Sequence, residues 1–238
     1  MKIGILRTGR ALPDIKAKHG DFNDLFTTLL AGNGMTFQAY AVLDGELPKS
    51  VTECDGWLIT GSAHSSYEDL LWIADLEDFI RNAFTADIPI VGICFGHQIL
   101  AQALGGKVEK YADGWAIGPH EYQFDGVAEP VTINAWHQDQ VTQLPIGAKT
   151  VGRSEFCENA AIVYGKTAYS VQAHPEFTNA FIGDLIDIRR DSVPANLVDE
   201  AESALKSTTP SPAVVAQMVA FFQSRNLDIS VSNAAQWI

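Results

Sequence analysis

Asp87-Ile88-Pro89-Ile90-Val91-Gly92-Ile93-Cys94-Phe95-Gly96-His97-Gln98-Ile99-Leu100 is an apolar run that ends in Gly-x-Cys-x-Gly and passes directly into helix-forming sequence. Ile88 to Ile93 is short, branched and bounded by turn residues, which predicts a buried parallel strand; the apolar run from Ile99 to Leu104, closed by Gly105-Gly106, predicts a capped helix. Cys94 falls at the corner between them. Gly92 and Gly96 remove side chains that would clash in so tight a turn, and the corner projects the sulfur outward rather than into the core. A thiol at a helix N-terminus also meets unpaired N–H groups and the positive end of the helix dipole, which favour the thiolate. The N–H of Phe95 is then placed to donate to a developing oxyanion.

Such a nucleophile needs a base, and the base needs an orienting partner. His174 ends the alternating run Ala168-Tyr169-Ser170-Val171-Gln172-Ala173-His174, and Pro175-Glu176 follows. In extended chain residues i and i+2 share a face, and Pro175 biases His174 toward that geometry, so imidazole and carboxylate project together. Trp136-His137-Gln138-Asp139 pairs a histidine with an acid at the same spacing. Spacing alone leaves both pairs open. His97, in the first turn after Cys94, is turned away from the sulfur by local geometry, so a packed or surface role is expected.

Gly92-Ile93-Cys94-Phe95-Gly96-His97-Gln98, followed eighty positions after the cysteine by His174-Pro175-Glu176, resembles the class I (triad) glutamine amidotransferases, especially freestanding members similar to the glutaminase domain of GMP synthase. The resemblance covers roughly residues 1 to 180. It implies that Cys94 attacks a γ-carboxamide and that His174 and Glu176, rather than His137 and Asp139, complete the triad. It further implies that Gln98 helps hold the substrate and that the His137-Gln138-Asp139 segment meets its amino-acid end. The family's oxyanion loop is of Gly-Gly-Pro type, whereas this chain has Thr60-Gly61-Ser62-Ala63. Gly61 still falls where a strand ends, and its backbone could aim the second oxyanion N–H. Ser65 or Ser66 is expected to cap the next helix.

The rest of the chain reads as a compact α/β domain. Strands at Lys2 to Leu6, Thr36 to Val42, Trp57 to Thr60 and Ile88 to Ile93 alternate with helices near Asp21 to Ala31 and Tyr67 to Thr85. This predicts a mostly parallel open sheet flanked by helices, flavodoxin-like by the resemblance, with antiparallel additions between residues 107 and 176. Asn159 to Ala173 reads as a hairpin turning at Tyr164-Gly165-Lys166-Thr167. Ligands of such sheets bind at the C-terminal ends of the strands, where Gly61, Cys94 and His174 all fall. The expected organisation is a catalytic domain over residues 1–180 and a helical extension over 181–238 packed on it. The extension's helices run over Asn179 to Arg190, Pro194 to Lys206 and from the Ser211-Pro212 cap to about Arg225.

A net charge of −13 disfavours nucleic acid and anionic membrane as partners. Three cysteines without framework spacing point to a reducing, cytoplasmic setting, with Cys54 and Cys157 as packing residues. No paired spacing supports a metal at Cys94-x-x-His97, and no cofactor is required. Neither a Ser-Gly-Gly-x-Asp-Ser loop nor a Gly-x-x-x-x-Gly-Lys loop is present, so ATP-driven use of ammonia would need a separate synthetase subunit. The expected function is hydrolysis of a γ-glutamyl amide through a thioester on Cys94, as plant γ-glutamyl peptidases of the same superfamily perform. The alternatives are a glutaminase subunit serving a synthetase, a thiol variant of the α/β-hydrolases, and a non-catalytic thiol sensor. A homodimer through the C-terminal helices is compatible with each. Tyr111 and Trp115 are candidates to wall a pocket for a leaving group bulkier than ammonia, together with the Ala63 to Tyr67 loop.

Overall fold

Three strands are buried along their whole length: Gly56–Ile59 (β3), Ile90–Ile93 (β4) and Ala168–Val171 (β11). Strands without an exposed face belong to a parallel sheet covered on both sides, and the computed structural model, which describes residues 1–206 and 212–227, shows that sheet. Lys2–Leu6 (β1) pairs in parallel with Thr36–Tyr40 (β2) and with β3, β3 with β4, and β4 with β11. Beyond β11 the sheet turns antiparallel through Ala161–Tyr164 (β10), Ala148–Arg153 (β9), Ala116–Phe124 (β6) and Val131–His137 (β7). The nine-stranded order is β2-β1-β3-β4-β11-β10-β9-β6-β7. Lys107–Lys110 (β5) and Asp139–Gln143 (β8) form a separate antiparallel pair. The expected hairpin is present, β10 turning into β11 with Thr167 N–H donating to the Tyr164 carbonyl at 3.2 Å.

Side-chain alternation along the central strands builds two cores. On one face Ile3, Ile5, Val91 and Val171 meet Phe26 of helix Phe22–Leu29 (α2) and Val214, Met218, Phe221 and Phe222 of helix Ala213–Ser224 (α7). On the other face Leu6, Trp57, Ile59 and Ile90 meet Ile73, Leu76 and Ile80 of helix Leu71–Thr85 (α3) and Ile99 and Leu100 of helix Phe95–Ala103 (α4). A third cluster gathers Ile15 of helix Pro13–His19 (α1), Phe181, Ile182 and Ile186 of helix Asn179–Arg189 (α5), and Val198 and Ala201 of helix Ala195–Leu205 (α6) against Ile117 of β6.

Three local expectations need correcting. Helix α1 was not anticipated; it buries only Ile15, so its apolar periodicity is one residue deep. Helix α3 begins at Leu71 rather than Tyr67, and neither Ser65 nor Ser66 caps it, because their hydroxyls are bonded to Asp139 and Gln102 instead. Helix α7 follows Pro212, and the Ser211 cap lies outside the described residues. No helix among the described residues is long and apolar enough to cross a membrane.

Candidate active site

Cys94 occupies the turn from β4 into α4 with φ 54° and ψ −105°, a conformation that L residues adopt only at a cost of roughly 1–3 kcal/mol. The turn is pinned on both sides. Cys94 N–H donates to the Val171 carbonyl at 2.9 Å and Gly96 N–H to the Thr60 carbonyl at 3.2 Å. A Cβ on Gly92 would stand 2.3 Å from the Gly96 carbonyl oxygen, and one on Gly96 would stand 2.3 Å from the Ile59 carbonyl oxygen, so both glycines are required by close backbone approach. The cysteine is 6% exposed, and what it faces is a cavity rather than bulk solvent. The expectation of an outward-projecting thiol is corrected to that extent.

His174 follows β11, with its backbone N–H bonded to the Asn134 carbonyl of β7 at 3.0 Å. Its Nδ1 lies 2.7 Å from Glu176 Oε1, and its ring adjoins Cys94 beside Gly61. Since Nδ1 is engaged by the carboxylate, Nε2 is the ring nitrogen left to exchange a proton with the sulfur. Burial alone would strip the ring of its proton, but Glu176 and Cys94 outweigh burial and raise His174 to about 10. The ring also lies flat on Phe177, centroids 4.0 Å apart, and Phe177 lies flat on Phe181 at 4.0 Å.

The rival pair is not formed. His137 is buried with neither ring nitrogen bonded, and burial, then its histidine neighbours, lower it to about 3. Asp139 accepts instead from Ser65 Oγ at 2.5 Å and Tyr67 Oη at 3.1 Å, tying the loop after β3 to β8. Gln98 donates through Nε2 to the Asp139 carbonyl at 2.9 Å and to Gln172 Oε1 at 3.3 Å, so it braces the same segment while lining the cavity. Gln138 and His137 line it as well. His97 is packed: its Nδ1 meets Ser170 Oγ at 2.8 Å, and burial lowers it to about 3. Cys54 and Cys157 are buried away from the cavity, and burial pushes both thiols up, Cys157 to about 12.

Gly61 provides room: a Cβ there would lie 3.0 Å from His174 Cε1 and 3.7 Å from Cys94 Cβ. Its carbonyl accepts from the hydroxyls of Thr8 and Thr60, each at 3.1 Å. In a planar trans peptide the following N–H points the opposite way, so Ser62 N–H faces away from the threonines. Neither Ser62 N–H nor Phe95 N–H has an acceptor among the described residues.

The cavity has a volume of about 440 Å³. Besides the residues above it is lined by Ala63, His64, Ser65 and Tyr67 of the anticipated loop, and by Trp115. Tyr111 is not part of the wall; it packs edge-on to Phe156 with centroids 4.9 Å apart. Lining residues that the sequence did not reveal include Arg10, Phe22, Lys110, Phe177, Phe181, Leu185 and Arg189. The alternation of β5 is the trace of Lys110 and the spacing of α5 that of Phe181, Leu185 and Arg189, and neither marks a ligand.

A family model described as glutamine amidotransferase class-I matches residues 20–184. Gamma-glutamyl peptidase 4 of Arabidopsis thaliana is 32% identical over 194 residues, covering 74% of this chain and 77% of that protein. GMP synthase of an Azoarcus species is 35% identical over 144 residues, 54% of this chain and 26% of that protein. A glutamine amidotransferase structure from Methylobacillus flagellatus superposes with a TM-score of 0.67 at 26% identity, covering 79% of this chain and 75% of the other. A glutamine amidotransferase from Thermotoga maritima, at 22% identity, shares the fold with a TM-score of 0.71 over 96% of this chain and 98% of the other.

Proposed function

Because this chain belongs to the class I glutamine amidotransferase family, we propose that it is a hydrolase of γ-glutamyl amides with Cys94 as nucleophile, His174 as acid and base, and Glu176 as the residue that orients it. The observation that carries this reading is that Cys94 and His174 meet beside Gly61 on the wall of a 440 Å³ cavity, with Glu176 bonded to His174 from behind.

Cys94 Sγ attacks the γ-carbonyl carbon, a C–S bond forms, and the carbonyl electrons move onto oxygen. Phe95 N–H and Ser62 N–H, beside Gly61, receive that oxyanion. Collapse breaks the C–N bond, and the proton on His174 Nε2 passes to the leaving nitrogen, which departs as an amine. Water then enters, gives a proton back to His174 and attacks the thioester. The C–S bond breaks and glutamate leaves. The glutamyl end lies on the side of Gln98, His137 and Gln138. His137, buried, neutral and unbonded, offers either a donor or an acceptor there without competing as base.

The likeness to GMP synthase supports a second reading, a glutaminase that delivers ammonia to a synthetase. A panel of glutamine and γ-glutamyl amides of larger amines separates the two. Glutamate release by the isolated chain, lost in Cys94→Ala, is the expected result. Release that begins only when a synthetase is added would establish the second reading.

A further inference from the structure

We propose that the leaving-group side of the cavity is a built subsite for an elongated amine with a flat apolar body next to the scissile nitrogen and an anion at its far end. This rests on the hydrolase reading above. The group that protonates the leaving nitrogen must stand beside it, so the leaving group lies on the His174 side. That side is an aromatic wall. His174, Phe177 and Phe181 stack in sequence at 4.0 Å intervals, with Phe22 tilted against Phe177 at 6.1 Å. Ammonia uses none of this surface; His174 and Phe181 already cover both faces of Phe177, so a planar ring placed against the wall gains apolar burial and edge-on aromatic contact.

The stripe has a charged end. Phe177, Phe181, Leu185 and Arg189 recur every four residues, which puts the last three on one face of α5, and all four line the cavity. Arg189 is unlike its neighbours in having no carboxylate: Arg190 is paired with Asp187 and Glu202, and Arg10, also on the wall, is paired with Asp44, whereas Arg189 forms no ion pair among the described residues. Helical side chains lean toward the N-terminus of their helix, a tendency that favours the Arg189 guanidinium, exposed on the cavity wall, lying on the Leu185 side. Its fork matches a carboxylate.

The test uses one scissile bond and four leaving groups: the γ-glutamyl amides of 4-(aminomethyl)benzoate, of its uncharged carboxamide, of benzylamine, and ammonia as glutamine itself. Benzylamide should exceed glutamine in kcat/KM, mainly through KM, and the benzoate should exceed the carboxamide about three- to tenfold, as one partly exposed guanidinium–carboxylate contact gives. Arg189→Gln should bring the benzoate-to-carboxamide ratio to about one. Because each ratio is taken within a single variant, a general loss of folded protein cancels. Turnover without discrimination between benzoate and carboxamide overturns the inference and leaves the hydrolase reading standing. If no amide is turned over, the hydrolase reading falls. Binding of free 4-(aminomethyl)benzoate to the wild-type chain then decides: tighter binding than its carboxamide, lost in Arg189→Gln, supports the subsite, and equal binding overturns it.

Discussion

At Cys94 a residue with a Cβ is held at φ 54°, and the strain is maintained by the hydrogen bonds of Cys94 to Val171 in β11 and of Gly96 to Thr60 just past β3. Glycine relieves such strain, whereas at an ordinary helix or strand position it costs about 1 kcal/mol relative to alanine. Both Cys94→Ala and Cys94→Gly should abolish glutamate release, and Cys94→Gly should melt at or above the temperature of Cys94→Ala. A Cys94→Gly protein that melts several degrees lower would mean that the turn is unstrained in solution. The charge on His174 gives a second residue-scale expectation. Glu176 and Cys94 hold its proton against burial up to about 10, so kcat/KM should persist into alkaline solution and fall as pH rises through that value, where the leaving amine loses its proton donor. Glu176→Gln removes one of the contributions that raise it, and the alkaline limb should move to lower pH. A limb unmoved by Glu176→Gln would assign the orienting role elsewhere.

Among the elements, the loop between β3 and α3 is fixed to β8 by two bonds to one carboxylate, from Ser65 and Tyr67 to Asp139. Asp139→Ala should therefore raise KM about five- to thirtyfold, the equivalent of losing ~1–2 kcal/mol of hydrogen bonding to a charged group, with a smaller change in kcat. An unchanged KM in steady-state assays would show that the loop is held by other means. The same loop marks where sequence reading stopped. Ser65 and Ser66 suit a helix cap by type and position, and only the fold brings Asp139 and Gln102 near enough to claim their hydroxyls. The turn at Cys94 was legible because its constraints are local: the strand, both glycines and the helix lie within a few residues. His174 and Glu176 were legible as a pair for the same reason, but their choice over His137 and Asp139 needed the resemblance, since equal spacing carries equal information. Helix α1 escaped because one buried residue gives no periodicity, although Pro13 at its first position was an available sign. Phe181, Leu185 and Arg189 read as one face of a helix, and nothing local reveals that the face borders a cavity.

Over the whole molecule, α7 contributes Val214, Val215, Met218, Phe221 and Phe222 to the main core. At ~1.5–3 kcal/mol for each buried side chain, these five are worth about as much as the net stability of a domain. We therefore propose that α7 completes the catalytic domain, and a chain ended after Lys206 should be unfolded or insoluble by circular dichroism and gel filtration. A folded, active chain of that length would separate the extension from the core. Acid should also unfold the intact protein. His97 and His137 are buried and lowered from 6.5 to about 3, so the unfolded chain takes up protons that the folded one refuses. Stability present above about pH 6.5 is then lost as pH falls toward 3, at ~1.4 kcal/mol per unit for each histidine. Calorimetry between pH 7 and 4 should show the melting temperature falling, with a shallower fall in His97→Gln; a flat profile would mean that these rings are hydrated in solution.

The central claim is a covalent intermediate on Cys94, and intact-protein mass spectrometry after rapid acid quench of the protein turning over a γ-glutamyl amide tests it most directly. The account predicts a species heavier by one γ-glutamyl group, carried on the peptide containing Cys94, absent from Cys94→Ala and accumulating when the water-activating His174 is replaced by asparagine after a first, slow acylation. Glutamate release that proceeds in Cys94→Ala at the wild-type rate with no such species would contradict it.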